Sequence, residues 1–133
     1  MANALYPKWK EAIVQASSNS SLGGTLKVVL VDTGTYTYSS SHEFLTDLSG
    51  TGGTAQTLGS KTYTNGVLDA ADVTFSSVAG TVSYEALVLY IDTGVSATSR
   101  LVAYIDTGVT GLPVTSNGGD ISVTWNASGI FAL

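Results

Sequence analysis

The sequence contains no cysteine. Disulfide scaffolds, thiolate metal sites and cysteine nucleophiles are therefore excluded, and the chain suits a reducing compartment. Charge is nearly as scarce. Asp, Glu, Lys and Arg make up 11% of the residues, where soluble domains carry about 25%. The balance is acidic, with ten acids, five bases and a net charge of −5. A nucleic-acid binder shows a basic stripe. Here only Lys8 and Lys10 cluster, Glu11 follows at once, and from Thr25 onward Lys27, Lys61 and Arg100 face nine acids. No nucleic-acid partner is expected. Long apolar runs are missing too. The longest hold about six residues, such as Ala86–Ile91, against the roughly 20 of a membrane helix, so no membrane partner is expected. The opening Met1-Ala-Asn-Ala-Leu-Tyr-Pro-Lys8 lacks the apolar stretch of a signal peptide. Without a secretory route, Asn19-Ser-Ser21 and Asn126-Ala-Ser128 read as chance matches to the glycosylation sequon.

Ser, Thr and Gly take the place of charge. Hydroxyls suit solvated strands and glycine suits turns. A surface this poor in Lys and Glu is also weakly protected against association. It reads either as an ordinary Ser/Thr-rich β surface or as one partly covered by another protein. The length of 133 residues fits one domain. Residues 1–24 read as an N-terminal helix and flexible link, and residues 25–133 as the body. Leu5, Trp9, Ile13 and Ala16 form one apolar stripe at helical spacing. Pro7 suits the first helical turn. This helix is expected to pack on its own body, with a neighbouring subunit as the other possibility.

The body has strand grammar. Strands are expected over residues 26–31, 35–38, 54–58, 60–64, 73–76, 84–91, 100–105, 121–126 and 130–133. Ser40-Ser-His-Glu43 resembles a capping box leading into helical turns through Leu48, and residues 50–53 read as a loop. Asn65-Gly66 is the strongest hairpin signal. Residues 84–91 and 100–105 are apolar on both faces, as central antiparallel neighbours would be. Ile121, Val123 and Trp125 alternate onto one buried face. Many short strands with turns between them predict an all-β, jelly-roll-like β-sandwich with a short N-terminal helix.

Asp-Thr-Gly occurs three times, at 32–34, 92–94 and 106–108. The same tripeptide forms the active-site loop of aspartic proteases, where two carboxylates share a proton. Yet strands ending at Ile91 and Ile105 on antiparallel neighbours would place Asp92 and Asp106 about a strand length, roughly 17–20 Å, apart. Asp at a strand end with Gly two residues on is ordinary turn chemistry, and that reading is preferred. His42 is the only histidine, which leaves it without partners for a metal site or a triad. Asp69 and Asp72 lack EF-hand spacing and read as a polar turn. Gly23, Gly24, Gly52 and Gly53 precede no Lys-Ser/Thr and form no phosphate loop. Tyr84, Tyr90, Tyr104 and Trp125 fall in strand patterns and read as core rather than as a sugar platform. No catalytic, cofactor-binding or metal residue is assigned, and the chain is not expected to be an enzyme.

Several segments together resemble a group of small structural proteins of tailed bacteriophages. They are Thr25-Leu-Lys-Val-Val-Leu-Val-Asp-Thr-Gly34, His42-Glu-Phe-Leu45, Glu85-Ala-Leu-Val-Leu-Tyr-Ile-Asp-Thr-Gly94, Ser99-Arg-Leu-Val-Ala-Tyr-Ile-Asp106, Gly111-Leu-Pro-Val114 and Asn117-Gly-Gly-Asp-Ile-Ser-Val-Thr-Trp125. The likeness lies in overall texture and carries no defined site. It implies a capsid cement or decoration protein made in the bacterial cytoplasm and placed on the capsid exterior. The implied partners are the major capsid protein and further copies of the chain, as a dimer or trimer. The alternatives are a tail or head–tail connector component and, from other classes, an aspartic-type protease or a carbohydrate-binding module.

Overall fold

The chain is all-β, built from antiparallel sheets with one short α-helix among the described residues. The computed structural model describes residues 2–13, 19–21 and 23–133. In chain order the elements are β1 (Ala4–Leu5), α1 (Pro7–Ile13), β2 (Leu26–Val31), β3 (Thr51–Thr57), β4 (Thr62–Thr64), β5 (Val67–Asp69) and β6 (Val73–Phe75). There follow β7 (Ser83–Tyr84), β8 (Ala86–Ile91), β9 (Arg100–Ile105), β10 (Val114–Thr115), β11 (Ile121–Val123) and β12 (Phe131–Ala132). The main sheet has five strands in the order β1-β9-β8-β2-β3. Three smaller sheets pair β10 with β7, β11 with β6, and β12 with β5 and β4. These pairings do not establish jelly-roll connectivity.

The apolar runs become the centre of the main sheet, as expected. All six residues of β8 are buried, and β9 pairs beside it antiparallel. Each fully buried leucine there contributes on the order of 2–3 kcal/mol. Both faces are covered because strand side chains alternate. Leu30, Leu87 and Ile105 form one cross-strand row. On that side Leu30, Phe75 and Val78 gather around Gly53, so the row packs towards β6. Val29, Val88 and Tyr104 form the next row, on the other face. The long β2–β3 connection lies over it, placing Tyr36 and Tyr38 against the Tyr104 ring.

One edge of the main sheet is closed by the chain itself. Ala4 and Leu5 pair with Tyr104 and Ala103, and the Tyr6 N–H donates to the Val102 carbonyl at 3.1 Å. Further along β9, Leu101 N–H donates to the Glu43 carbonyl at 2.9 Å and Leu45 N–H to the Ser99 carbonyl at 2.8 Å. Arg100 locks this second piece, with its guanidinium 2.7 Å from Glu43 and 4.9 Å from the Phe44 ring centroid.

The Asn65-Gly66 hairpin is present. Thr64 pairs with Val67, and Asn65 and Gly66 have φ of 52° and 78°, positive at both central positions as a type I′ turn requires. Ile121, Val123 and Trp125 are buried as the alternation predicts.

Four local expectations are corrected. The helix begins at Pro7 and runs through Ile13, the last described residue of that segment, and Leu5 belongs to β1 because pairing with β9 satisfies its backbone. Ala16 and, within the proposed link, residues 17, 18 and 22 lie outside the described residues. Trp9 is only 2% exposed and stacks edge-on against Phe131, so the helix packs on its own body. No capping box forms at Ser40. Asp47 Oδ2 instead accepts the N–H groups of Glu43 and Phe44, and a single 3-10 turn, Leu45–Asp47, follows, because residues 43–45 are paired to β9. Residues 35–38 form no strand: Thr35 closes a turn on Asp32, and Tyr36–Tyr38 run irregularly over the sheet. Finally, residues 51–53 are not a loop but the start of β3. Gly52 fits there because any Cβ would overlap the Tyr84 side chain.

Candidate functional site

The three Asp-Thr-Gly segments all end strands of the main sheet. Leu87 pairs with Ile105, and Ile91 with Arg100, so Asp92 and Asp106 lie at opposite ends, as the sequence implies. Asp32 was not separated from Asp106 by that reasoning. Val31 pairs with Ala86, which puts Asp32 and Asp106 at the same end with β8 between them. Two strand spacings separate their backbones there, about 9–10 Å, whereas carboxylates that share a proton sit about 3 Å apart.

The Asp32 and Asp92 carboxylates are each committed to their own turn. Asp32 Oδ1 accepts Gly34 N–H at 2.8 Å, and its Oδ2 accepts the Thr35 hydroxyl at 3.2 Å. Asp92 Oδ1 accepts Gly94 N–H at 3.0 Å, and Lys27 Nζ stands 3.2 Å from its other oxygen. The Gly94 N–H first, and Lys27 with it, hold the Asp92 carboxyl below the usual carboxylate range. Asn3 Oδ1 accepts the N–H groups of Asp106 and Thr107 at 2.7 and 3.0 Å, which ties the third turn to the N-terminus. Glu85 does the same for the first turn, accepting Thr33 N–H and hydroxyl at 2.9 and 3.0 Å.

The densest polar chemistry lies elsewhere, in a layer of tyrosines between the main sheet and the β2–β3 connection. Tyr6 and Tyr36 share a hydrogen bond of 2.9 Å, and Tyr36 Oη is 2.7 Å from Nδ1 of His42. The rings of Tyr6 and Tyr38 are 4.9 Å apart, and those of Tyr38 and Tyr104 are 5.7 Å apart. The Tyr38 hydroxyl donates to the Leu5 carbonyl at 3.1 Å. Burial, then the bond to Tyr36, pushes the Tyr6 phenol far above its ordinary range. Burial, then the Asp106 charge, pushes Tyr104 up to about 12. These phenols are therefore neutral hydrogen-bonding groups at any physiological pH. The sequence reading missed the layer. Its signal was the alternation Thr35-Tyr-Thr-Tyr38, which puts two aromatics on one side of an extended segment.

The remaining candidates are structural. Asp69 Oδ1 accepts Ala70 N–H at 2.9 Å and Asp72 Oδ1 accepts Trp125 N–H at 3.0 Å, so the pair shapes turns around β5 and β11. Among the described residues no three acids or histidines converge as a metal site would require. Gly52 and Gly53 lie within β3. Lys61 Nζ donates to the carbonyls of Ser21 and Gly24 at 3.0 and 2.6 Å. All twelve aromatic side chains are buried or half-buried, whereas a sugar platform needs an exposed one. A shallow concavity of about 300 Å³ beneath the 3-10 turn is lined by Val29, Leu45, Leu48, Thr51, Tyr90 and Ser96 and borders β3.

No family model, curated protein or solved structure matches the chain.

Proposed function

We propose that this chain is a structural protein of a tailed-phage virion that binds and stabilises the major capsid shell. The observation that carries this reading is where the polar side chains are spent. Asp32, Asp47, Asp92, Glu43, Glu85 and His42 are all bonded to the chain's own turns and side chains. That arrangement supports a rigid body and leaves a largely neutral Ser/Thr surface for contact. The resemblance in sequence texture to phage cement proteins points the same way.

The mechanism is mechanical. Packaged DNA presses a shell outward, and a protein bridging neighbouring subunits adds buried area that must be lost before the shell opens. Specific interfaces of this kind bury about 1,200 Å² or more, and many identical copies act together through multivalency. The chain is expected to form homo-oligomers, a dimer or trimer, and to contact the major capsid protein.

The test is the copy number of this chain in purified particles. A number matching the capsid lattice supports a cement role. A single ring at the portal or tail identifies a connector or tail component, and absence from particles removes the structural reading. Peptide cleavage at acid pH that Asp32→Asn or Asp106→Asn abolishes would establish a protease instead. A single strong hit on a glycan array would establish a carbohydrate-binding module.

A further inference from the structure

The main sheet has two edges that differ in kind. The β9 edge is closed by Ala4–Leu5 and by residues 43–45. The other edge is β3, which pairs only with β2 among the described residues. Its sequence, Thr-Gly-Gly-Thr-Ala-Gln-Thr, carries no charge and no proline. Charged side chains and proline are the usual devices that keep an open edge from pairing.

The backbone directions follow from the bonds that bracket this strand. Asp32 N–H donates to the Gly50 carbonyl and Leu58 N–H to the Leu26 carbonyl, at 2.9 and 2.8 Å. Antiparallel ladders alternate, so Gly52 and Gln56, opposite Leu30 and Val28, face β2 as well. Thr51 and Thr57 then direct their N–H and C=O groups away from the sheet. Between them a bulge sets residues 53–55 against Val29, with Gly53 at φ 70°.

We infer that β3 is a self-pairing edge: two copies of this chain join antiparallel across a two-fold axis at Thr54, making one continuous sheet. Two observations select a second copy as the occupant. An isologous contact requires that residue i meet j and j meet i, and the threonines at 51, 54 and 57 are symmetric about Thr54. Thr51 then faces Thr57 of the other copy, Thr54 faces itself, and Thr–Thr cross-strand pairs are favourable. Two chains of net charge −5 repel least where the meeting segments carry no charge of their own, and β3 is such a segment. The bulge limits ladder bonding to the flanking Thr51–Thr57 pairs, which makes the contact weak. A strand pair of this length falls short of the roughly 1,200 Å² of a stable interface, so pairing is fullest where copies are concentrated, as on a lattice.

The inference deepens the oligomer proposed above, but its test needs only the isolated chain. Sedimentation equilibrium from about 10 µM to about 1 mM is expected to show reversible dimers with dissociation constants in that range. Thr54→Lys sets two cations face to face and is expected to weaken the dimer at least about tenfold, while Thr74→Lys, at the exposed position of β6, leaves it unchanged. The chain has no cysteine, so a single new thiol reports proximity. Opposed Cα atoms at a non-hydrogen-bonded pair are about 4.5 Å apart, within disulfide reach. Thr54→Cys is expected to crosslink to its own copy far faster than Thr74→Cys under mild oxidation. Monomers at every concentration, equal crosslinking of the two variants, or a dimer indifferent to Thr54→Lys each overturn the inference. None of these results bears on whether the chain is found in virions.

Discussion

Tyr36 Oη lies 2.7 Å from His42 Nδ1 and at the same time accepts or donates across 2.9 Å to Tyr6. A hydroxyl has one proton and two lone pairs, so Tyr36 donates to at most one of these neighbours and accepts from at least one. Tyr6 is fully buried and Tyr36 nearly so. The three residues come from the segment before α1 and from the β2–β3 connection, and their bonds hold that connection down on the sheet.

Tyr36→Phe is therefore expected to cost more than Tyr6→Phe. The former strands a buried phenol and an imidazole nitrogen together, a penalty of about 1–3 kcal/mol. The latter leaves the Tyr36–His42 bond in place and removes a group rather than orphaning one, costing about 1 kcal/mol. Urea unfolding of the two variants, at equal slope, measures the difference. Equal stabilities would mean that the layer is held by ring packing alone.

The tyrosines also set behaviour at high pH. Tyr104 is raised to about 12, by burial first and Asp106 next, and Tyr6 is raised further in the same direction, by burial first and Tyr36 next. The fold favours the neutral phenol, so this stabilisation is complete below the ordinary value of about 10. It is lost as pH rises through the folded values. Absorbance titration should show phenols that resist ionisation above pH 10 in the folded protein and titrate normally in urea. Tyr104→Phe should remove the step near 12.

The parts of the fold legible in the sequence were those where local pattern and tertiary demand agree. β8 and β9 are apolar on both faces and lie centrally, and Asn65-Gly66 makes the turn its composition dictates. The errors share a cause. Leu5, Glu43 and Gly52 were read from local preference, as helix, cap and loop, yet each is captured by a distant strand: Leu5 and the Glu43 carbonyl by β9, Gly52 by β2. Pairing partners remote in sequence leave no local signal. The same holds for the tyrosine layer, whose members are drawn from residues 6 to 104.

Acid should act through two aspartates. Backbone N–H groups of Glu43 and Phe44 lower the Asp47 carboxyl, and Gly94 N–H with Lys27 lowers that of Asp92. A depressed folded pKa gives stability that is present above the unfolded value, about 3.9, and is lost as pH falls through the folded value. Calorimetry across this window should show the midpoint falling below about pH 4. Asp47→Asn and Asp92→Asn should each lower the midpoint at neutral pH and shallow its fall in acid. Both carboxyls are near the surface, so added salt should shrink the Asp92 effect, which includes an ion pair.

Two glycines should respond to alanine with opposite signs. Gly111 has φ of 110°, and a Cβ there would overlap the Ser122 carbonyl. The close approach is needed because the neighbouring Thr110 and Thr124 exchange both backbone bonds, at 2.9 and 3.0 Å. The carbonyl belongs to β11 and cannot rotate aside as a side chain would. Backbone strain of about 1–3 kcal/mol at such a φ adds to the displacement of β11, so Gly111→Ala should cost more than about 3 kcal/mol. Gly59 is the contrary case. Nothing lies within 4 Å of its Cβ position, and it is not in the left-handed region. Alanine there restricts the unfolded chain without strain and should stabilise by about 0.4–1 kcal/mol. Thermal unfolding of the two variants beside the parent resolves both signs, since 1 kcal/mol moves the midpoint by about 3–4 °C in a domain of this size. A Gly111→Ala variant as stable as the parent would mean that the Thr110–Thr124 bridge does not hold the two segments together.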